Sequence, residues 1–152
     1  MQLGFAFLAD AAVSTPDGKI SVLGGNFDTI YVAAVPAQHP AMVLVVNLRV
    51  QPTECGRQHR LRLEFWDPDG QSVLPSLELP FLPQRRSDQP HKPVNVNLTV
   101  HLQGLTIPRV GDYAFHVLVD DLEVGVMPLS VVQVQAPGTA GERGAPDHPQ
   151  AT

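Results

Sequence analysis

A chain of 152 residues is the size of one domain, and an apolar share of 43% is enough to build a core without disulfide staples. Ten Lys plus Arg against fifteen Asp plus Glu leave a net charge of −5, which excludes a broad phosphate-binding face and argues against a nucleic-acid partner. The single cysteine, Cys55, excludes an intramolecular disulfide and a cysteine-rich metal centre, and fits a reducing, cytoplasmic compartment.

Fifteen prolines and twelve glycines with 6% aromatic residues predict many short elements separated by turns rather than long helices. The opening "MQLGFAFLADAA" is apolar and holds Ala9–Asp10–Ala11, yet its first basic residue is Lys19, so it does not read as a signal peptide. No apolar run approaches the roughly 20 residues of a spanning helix, and no membrane partner is expected.

Period-two alternation governs the chain. Leu3, Phe5 and Phe7 share a face of the first strand, and "STPDGK" is a Pro-Asp-Gly turn returning into "KISVLG". "LGGNFDTIY" (23–31) poses a choice between a phosphate loop and a bend. A phosphate loop joins a strand to a helix, but Thr29, Ile30, Tyr31 and Val32 follow, and neither G-x-G-x-x-G nor G-K-[ST] is present, so Gly24–Gly25 is read as a bend or bulge. "PAQHP" (36–40) reads as a loop. "MVLVVNLRV" is a strand with Leu44, Val46, Leu48 and Val50 on one face, and Val43 and Val45 make its first half apolar on both sides.

"QPTECGRQ" is a turn, and "HRLRLEFWD" alternates Leu61, Leu63 and Phe65 inward with Arg60, Arg62 and Glu64 outward. "DPDGQ" repeats the earlier turn, and "SVLPSLELP" is a short strand that Pro75 assigns to an edge or a bulge. Residues 80–93, "PFLPQRRSDQPHKP", carry four prolines and form the longest irregular stretch. "VNVNLTVHL" turns Val94, Val96, Leu98, Val100 and Leu102 inward and Asn95, Asn97, Thr99 and His101 outward. After the loop "GLTIPRVGD", "YAFHVLVDD" places Tyr113, Phe115, Val117 and Val119 inward, and "LEVGVMPLSVVQV" closes the set with a break near Met127–Pro128.

From Ala136 no large apolar residue remains, so residues 136–152 are expected to be a disordered Pro/Gly-rich tail on a domain of residues 1–135. Eight or nine short strands with regular turns predict a single antiparallel β-sandwich, all-β, of immunoglobulin-like or related topology; the alternative is a small closed barrel.

The constellations that could carry chemistry are weak. Cys55 and His59 in "ECGRQH" could pair as nucleophile and base, with Arg57 favouring thiolate, but they sit in a turn with no third group to orient them. His101 and His116 fall on polar faces of strands expected to form a hairpin, and Asp120 shares the parity of His116; a zinc site needs three or four ligands, and spacing supplies two. Asp120–Asp121 reads as a hairpin turn rather than paired acids, because adjacent strand residues point to opposite faces. No catalytic, cofactor-binding or metal residue is therefore assigned. Partner-binding candidates are Trp66, of outward parity, and Arg85, Arg86, His91 and Lys92, the cationic cluster of the 80–93 loop.

Residues 105–131, "LTIPRVGDYAFHVLVDDLEVGVMPLSV", resemble the last strands of immunoglobulin-like sandwiches, where a Gly-x-Tyr opens a late strand and the tyrosine caps a corner; Gly111 and Tyr113 match that element. "FLADAAVSTPDGKISVLGGNFDTIYVAAVPAQHPAMVLVVNLRV", "HRLRLEFWDPDG" and the Gly-x-Tyr hairpin together resemble an uncharacterised bacterial family of short intracellular β-sandwich proteins, a domain of unknown function, over roughly residues 3–134. That resemblance implies the fold and a bacterial source and brings no activity. The functional expectation is a non-enzymatic protein-interaction or structural module, binding a protein partner or pairing with itself as a homodimer through strand edges. The alternatives are a small-ligand carrier with an inter-sheet cleft and, behind it, a hydrolase-type enzyme.

Overall fold

Alternating runs become strands throughout the computed structural model, which describes residues 1–135. The tail expected to be disordered lies outside the described residues. In chain order the strands are β1 (Gln2–Ser14), β2 (Ile20–Phe27), β3 (Thr29–Val32), β4 (Ala37–Val50), β5 (His59–Trp66), β6 (Leu77–Phe81), β7 (Val94–Ile107), β8 (Gly111–Val119) and β9 (Leu122–Gln133). One sheet orders them β2-β1-β4-β7 and the other β3-β9-β8-β5-β6. Every pairing is antiparallel except that of β3 with β9.

The sheets pack face to face as a sandwich, because each is apolar on its inner face and must bury it. Leu44, Val46 and Leu48 of one sheet and Leu61, Phe65, Phe115 and Leu129 of the other are buried in a shared core. Phe65 stacks on Tyr113 and Phe115 at centroid distances of 5.1 and 4.4 Å. Two separate sheets with free edges rule out the closed barrel. At the corner before β8, the buried Tyr113 hydroxyl donates to the Arg109 carbonyl at 2.8 Å and accepts from the Arg109 N–H at 3.3 Å.

Gly24–Gly25 is a bend. It lies opposite a register shift between Leu8 and Ala9 of β1. Gly24 has φ +59°, and a Cβ there would overlap the Asp10 side chain, so the position takes glycine on both counts. The bend carries the far half of the β1–β2 hairpin over the outer face of the four-stranded sheet. There Ala12 packs on Val43 and Val45, with Phe7, Ile20 and Val22 around them. At the hairpin tip the Gly18 carbonyl accepts from Asn97 Nδ2 at 2.8 Å, and Asn97 Oδ1 accepts from Asn47 Nδ2 at 2.8 Å. The apolar character of β4 on both sides thus has two separate partners, the inter-sheet core and the folded-over hairpin.

Several boundaries differ from expectation. Residues 37–40 are strand rather than loop: β4 begins at Ala37, and Pro40 falls where the β7 ladder skips Gly104, so its missing N–H breaks no paired bond. The same glycine has φ +63°, and β7 runs through it to Ile107 with its register to β4 unbroken. β6 is confined to Leu77–Phe81, and residues 72–76 contribute one isolated bridge, Ser72 to Trp66. β9 is continuous through Met127–Pro128, because Pro128 pairs with β8 at a level where β3, which begins opposite Ser130, is not yet beside it.

Candidate functional site

The segment between β4 and β5 and the segment between β6 and β7 meet at one end of the sandwich. The first holds a single 3-10 turn, Pro52–Glu54, with proline at its start and the Glu54 carboxylate accepting from the Gln51 N–H at 2.8 Å. The second, residues 82–93, is tied to it twice. Gly56 N–H donates to the Pro83 carbonyl at 2.9 Å, and Arg85 Nη2 donates to the Pro52 carbonyl at 2.8 Å. These bonds bring Arg57 and Arg85 to the same end, beside Arg49 at the close of β4 and His91 and Lys92 just before β7.

Ion pairing divides the cations of this end. Arg86 is spent on Asp88, which it meets at 2.7 and 3.1 Å. That contact holds the Arg86 guanidinium above and the Asp88 carboxyl below their ordinary ranges. Arg60 lies 3.7 Å from Glu78 and 3.6 Å from Asp121, and Arg62 lies 2.5 Å from Asp121. Arg49, Arg57, Arg85 and Lys92 are exposed and have no ion-pair partner among the described residues. The opposite end is acidic: Asp67 and Asp69 share Arg109, and Asp28 and Asp112 lie nearby on either side of Ser130.

Of the candidates named from sequence, Arg85, Arg86, His91 and Lys92 gather at the cationic end and Trp66 does not join them. Trp66 lies at the far end of β5 on the outer face of the five-stranded sheet, half-buried, with its ring 4.1 Å from that of His116 and tilted 33° to it, and donating to Glu64 at 3.2 Å.

The histidines correct the sequence reading. β7 and β8 lie in different sheets and form no hairpin. His101 is on the outer face of one sheet and His116 on the outer face of the other, so they do not converge, and His116 instead meets Glu123 at 3.0 Å. Asp120 belongs to His59. The imidazole of His59 is 3% exposed, with Nδ1 2.6 Å from Asp120 Oδ2 and Nε2 2.8 Å from the Glu54 carbonyl. Both partners accept, so both ring nitrogens are taken up and neither is free to act as a base toward Cys55, whose sulfur instead faces the Gln51 carbonyl at 3.6 Å. Burial disfavours the Asp120 charge, but the bonds from His59 and the Arg60 N–H outweigh it and hold its pKa below the usual 3.8. Asp120 and Asp121 sit at φ +49° and +69°, the two-residue hairpin turn expected. The buried His59 clamp was missed because β5 parity marks position 59 as inward and nothing local names its partner 61 residues on. Among the described residues no group of three or more His, Cys, Asp or Glu is placed to hold a metal ion.

A second feature lies on the flank where β6 and β7 are the free edges. Two adjoining hollows of about 210 and 270 Å³ share Leu77 and His101, with Leu61, Leu63 and Val100 lining one and Leu102 and Leu105 the other.

No helix among the described residues is long and apolar enough to cross a membrane. No curated protein matches the chain. Among solved structures it is similar to Pseudomonas fluorescens alkylpurine DNA glycosylase AlkC bound to DNA containing an abasic site analog, at 10% identity and a TM-score of 0.38, over 84% of this chain and 30% of that one, a likeness too distant to carry an argument. A family model, described as a family of unknown function, matches residues 4–132, close to the span over which the sequence resembles an uncharacterised domain. The chain belongs to that family, DUF6941.

Proposed function

We propose that the protein is a non-enzymatic interaction module of immunoglobulin-like topology that binds an acidic protein segment at its cationic end. The observation that carries this reading is the set Arg49, Arg57, Arg85 and Lys92, free of ion pairs among the described residues, of which Arg57, Arg85 and Lys92 stand on two mutually bonded segments and Arg49 on the adjoining end of β4, in an otherwise acidic chain. Complementary charge of this kind steers and selects a partner. The strand order and the Tyr113 corner support the immunoglobulin-like assignment. The lone, free Cys55 supports a reducing, cytoplasmic compartment. With both His59 nitrogens engaged and His101 and His116 on opposite faces, the enzyme reading loses its best support.

The test is a pull-down from the native host with wild type beside Arg57→Glu/Arg85→Glu. A stoichiometric partner lost from the variant and eluted by salt is expected. A partner held equally by both refutes the surface, and no partner at all refutes the module. The hollows along β6 and β7 favour a second reading, an apolar small-ligand carrier. A thermal shift across a metabolite panel tests it, since a ligand of the native state raises the melting temperature.

A further inference from the structure

We infer that β7 is a self-pairing edge, and that a second copy of this chain continues the four-stranded sheet through it. The inference does not depend on the cationic end. Four strands stand at sheet edges, and three are blunted in ways that discourage pairing. β2 is bent at Gly24–Gly25 and folded over its own sheet; β3 has four residues; β6 has five, with Glu78 and Pro80 among them. β7 has fourteen residues and none of these devices. Val94–Ile107 contains no proline and no Asp, Glu, Lys or Arg. Its pairing with β4 runs along one side from Val94 to Ile107, and among the described residues no other strand, turn or loop backbone bonds to the opposite side.

Side-chain burial also stops short at this edge. Val96, Leu98 and Val100 face the core but remain partly exposed, whereas their β4 partners Leu48, Val46 and Leu44 are each 0% exposed. One more strand beside β7 would finish that burial and cover the hollows lined by Leu61, Leu63, Leu77 and Val100.

A two-fold contact brings one patch against itself, so the patch must be self-complementary. β7 meets that condition. Antiparallel pairing about an axis normal to the sheet sets Asn95, Asn97, Thr99 and His101 of one copy beside the same polar row of the other. It sets Val96, Leu98 and Val100 beside their counterparts, and it opposes no like charges although the chain as a whole carries −5. The chain's own residues 136–152 are a poor alternative strand, with Pro137, Pro146 and Pro149 and no large apolar side chain.

Light scattering on the full chain tests the inference, read together with hydrogen exchange of the β7 amides across protein concentration. A mass of twice 16.4 kDa and β7 protection that rises with concentration are expected. Asn95→Lys/His101→Lys changes two exposed positions of β7 that face each other across the two-fold, and so opposes like charges at the contact. It is expected to give the monomer mass with an unchanged circular dichroism spectrum. A wild type that stays at the monomer mass at all concentrations overturns the inference. So does a dimer whose β7 amides exchange at the monomer's rate, or β7 protection that appears only when an added extended peptide binds. Exchange on the wild type keeps the test decisive should the lysine variant fail to fold.

Discussion

Replacing Asp120 by asparagine removes one charge from the His59 clamp and leaves its frame standing. Asparagine tolerates the left-handed φ of +49° at this position, and its side-chain oxygen still accepts from the Arg60 N–H, now 3.0 Å away. What is lost is the ionised acceptor 2.6 Å from His59 Nδ1. A hydrogen bond to a charged group contributes about 1.5–3 kcal/mol. The imidazole is 3% exposed but the Asp120 side chain is 48% exposed, so solvent screening places the cost near the lower end, about 1.5 kcal/mol. Urea unfolding of wild type and variant at pH 7 reads this as a shifted midpoint with an unchanged slope. The native pKa of Asp120 lies below its ordinary 3.8, so the unfolded chain takes up the proton first as pH falls. The stabilisation is therefore whole at neutral pH, shrinks below 3.8 and vanishes once the native value is passed, and the two proteins converge in acid. A difference under about 0.3 kcal/mol at pH 7, or one that persists undiminished in acid, refutes the charge as the source of the effect.

Tyr113→Phe leaves both polar groups of Arg109 without their partner and is expected to cost about 1–3 kcal/mol, measured by calorimetry. Gly24→Ala is expected to destabilise more than Gly18→Ala: both have positive φ, but only the alanine at 24 meets a side chain, that of Asp10, and paired denaturation curves would show it. Asn97→Ala cuts the tether to Gly18 and is expected to speed proteolysis of the Thr15–Gly18 turn while leaving the Tyr113 corner protected in hydrogen exchange.

Local chemistry made much of the fold readable in advance. The Leu61-Leu63-Phe65 alternation places β5, and Gly-x-Tyr places the start of β8 and its corner, because each signal spans a few residues. Long-range pairing is what escaped. Nothing near His101 or His116 states that β7 and β8 belong to different sheets, so two histidines that looked like neighbours lie on opposite faces. Pro40 and Gly104 each look like a strand breaker alone; only their placement across one ladder makes both harmless. The cationic loop was legible as Arg85, Arg86, His91 and Lys92. Its sorting was not, since whether Arg86 is neutralised by Asp88, or Arg57 joins from another loop, depends on the folded path of the backbone.

The parallel pairing of β3 with β9 joins Thr29–Val32 to Ser130–Gln133, about a hundred residues downstream. A loop of that length closes slowly, because its entropy must be overcome before the contacts it brings can form. During synthesis β3 has no partner among the described residues until β9 has been made, so a nascent or truncated chain ending before Ser130 presents Ile30 and Tyr31 unpaired. Synthesis of Ser130–Gln133 therefore decides whether β3 is fastened down, whereas β1, β2 and β4 can pair among themselves long before it.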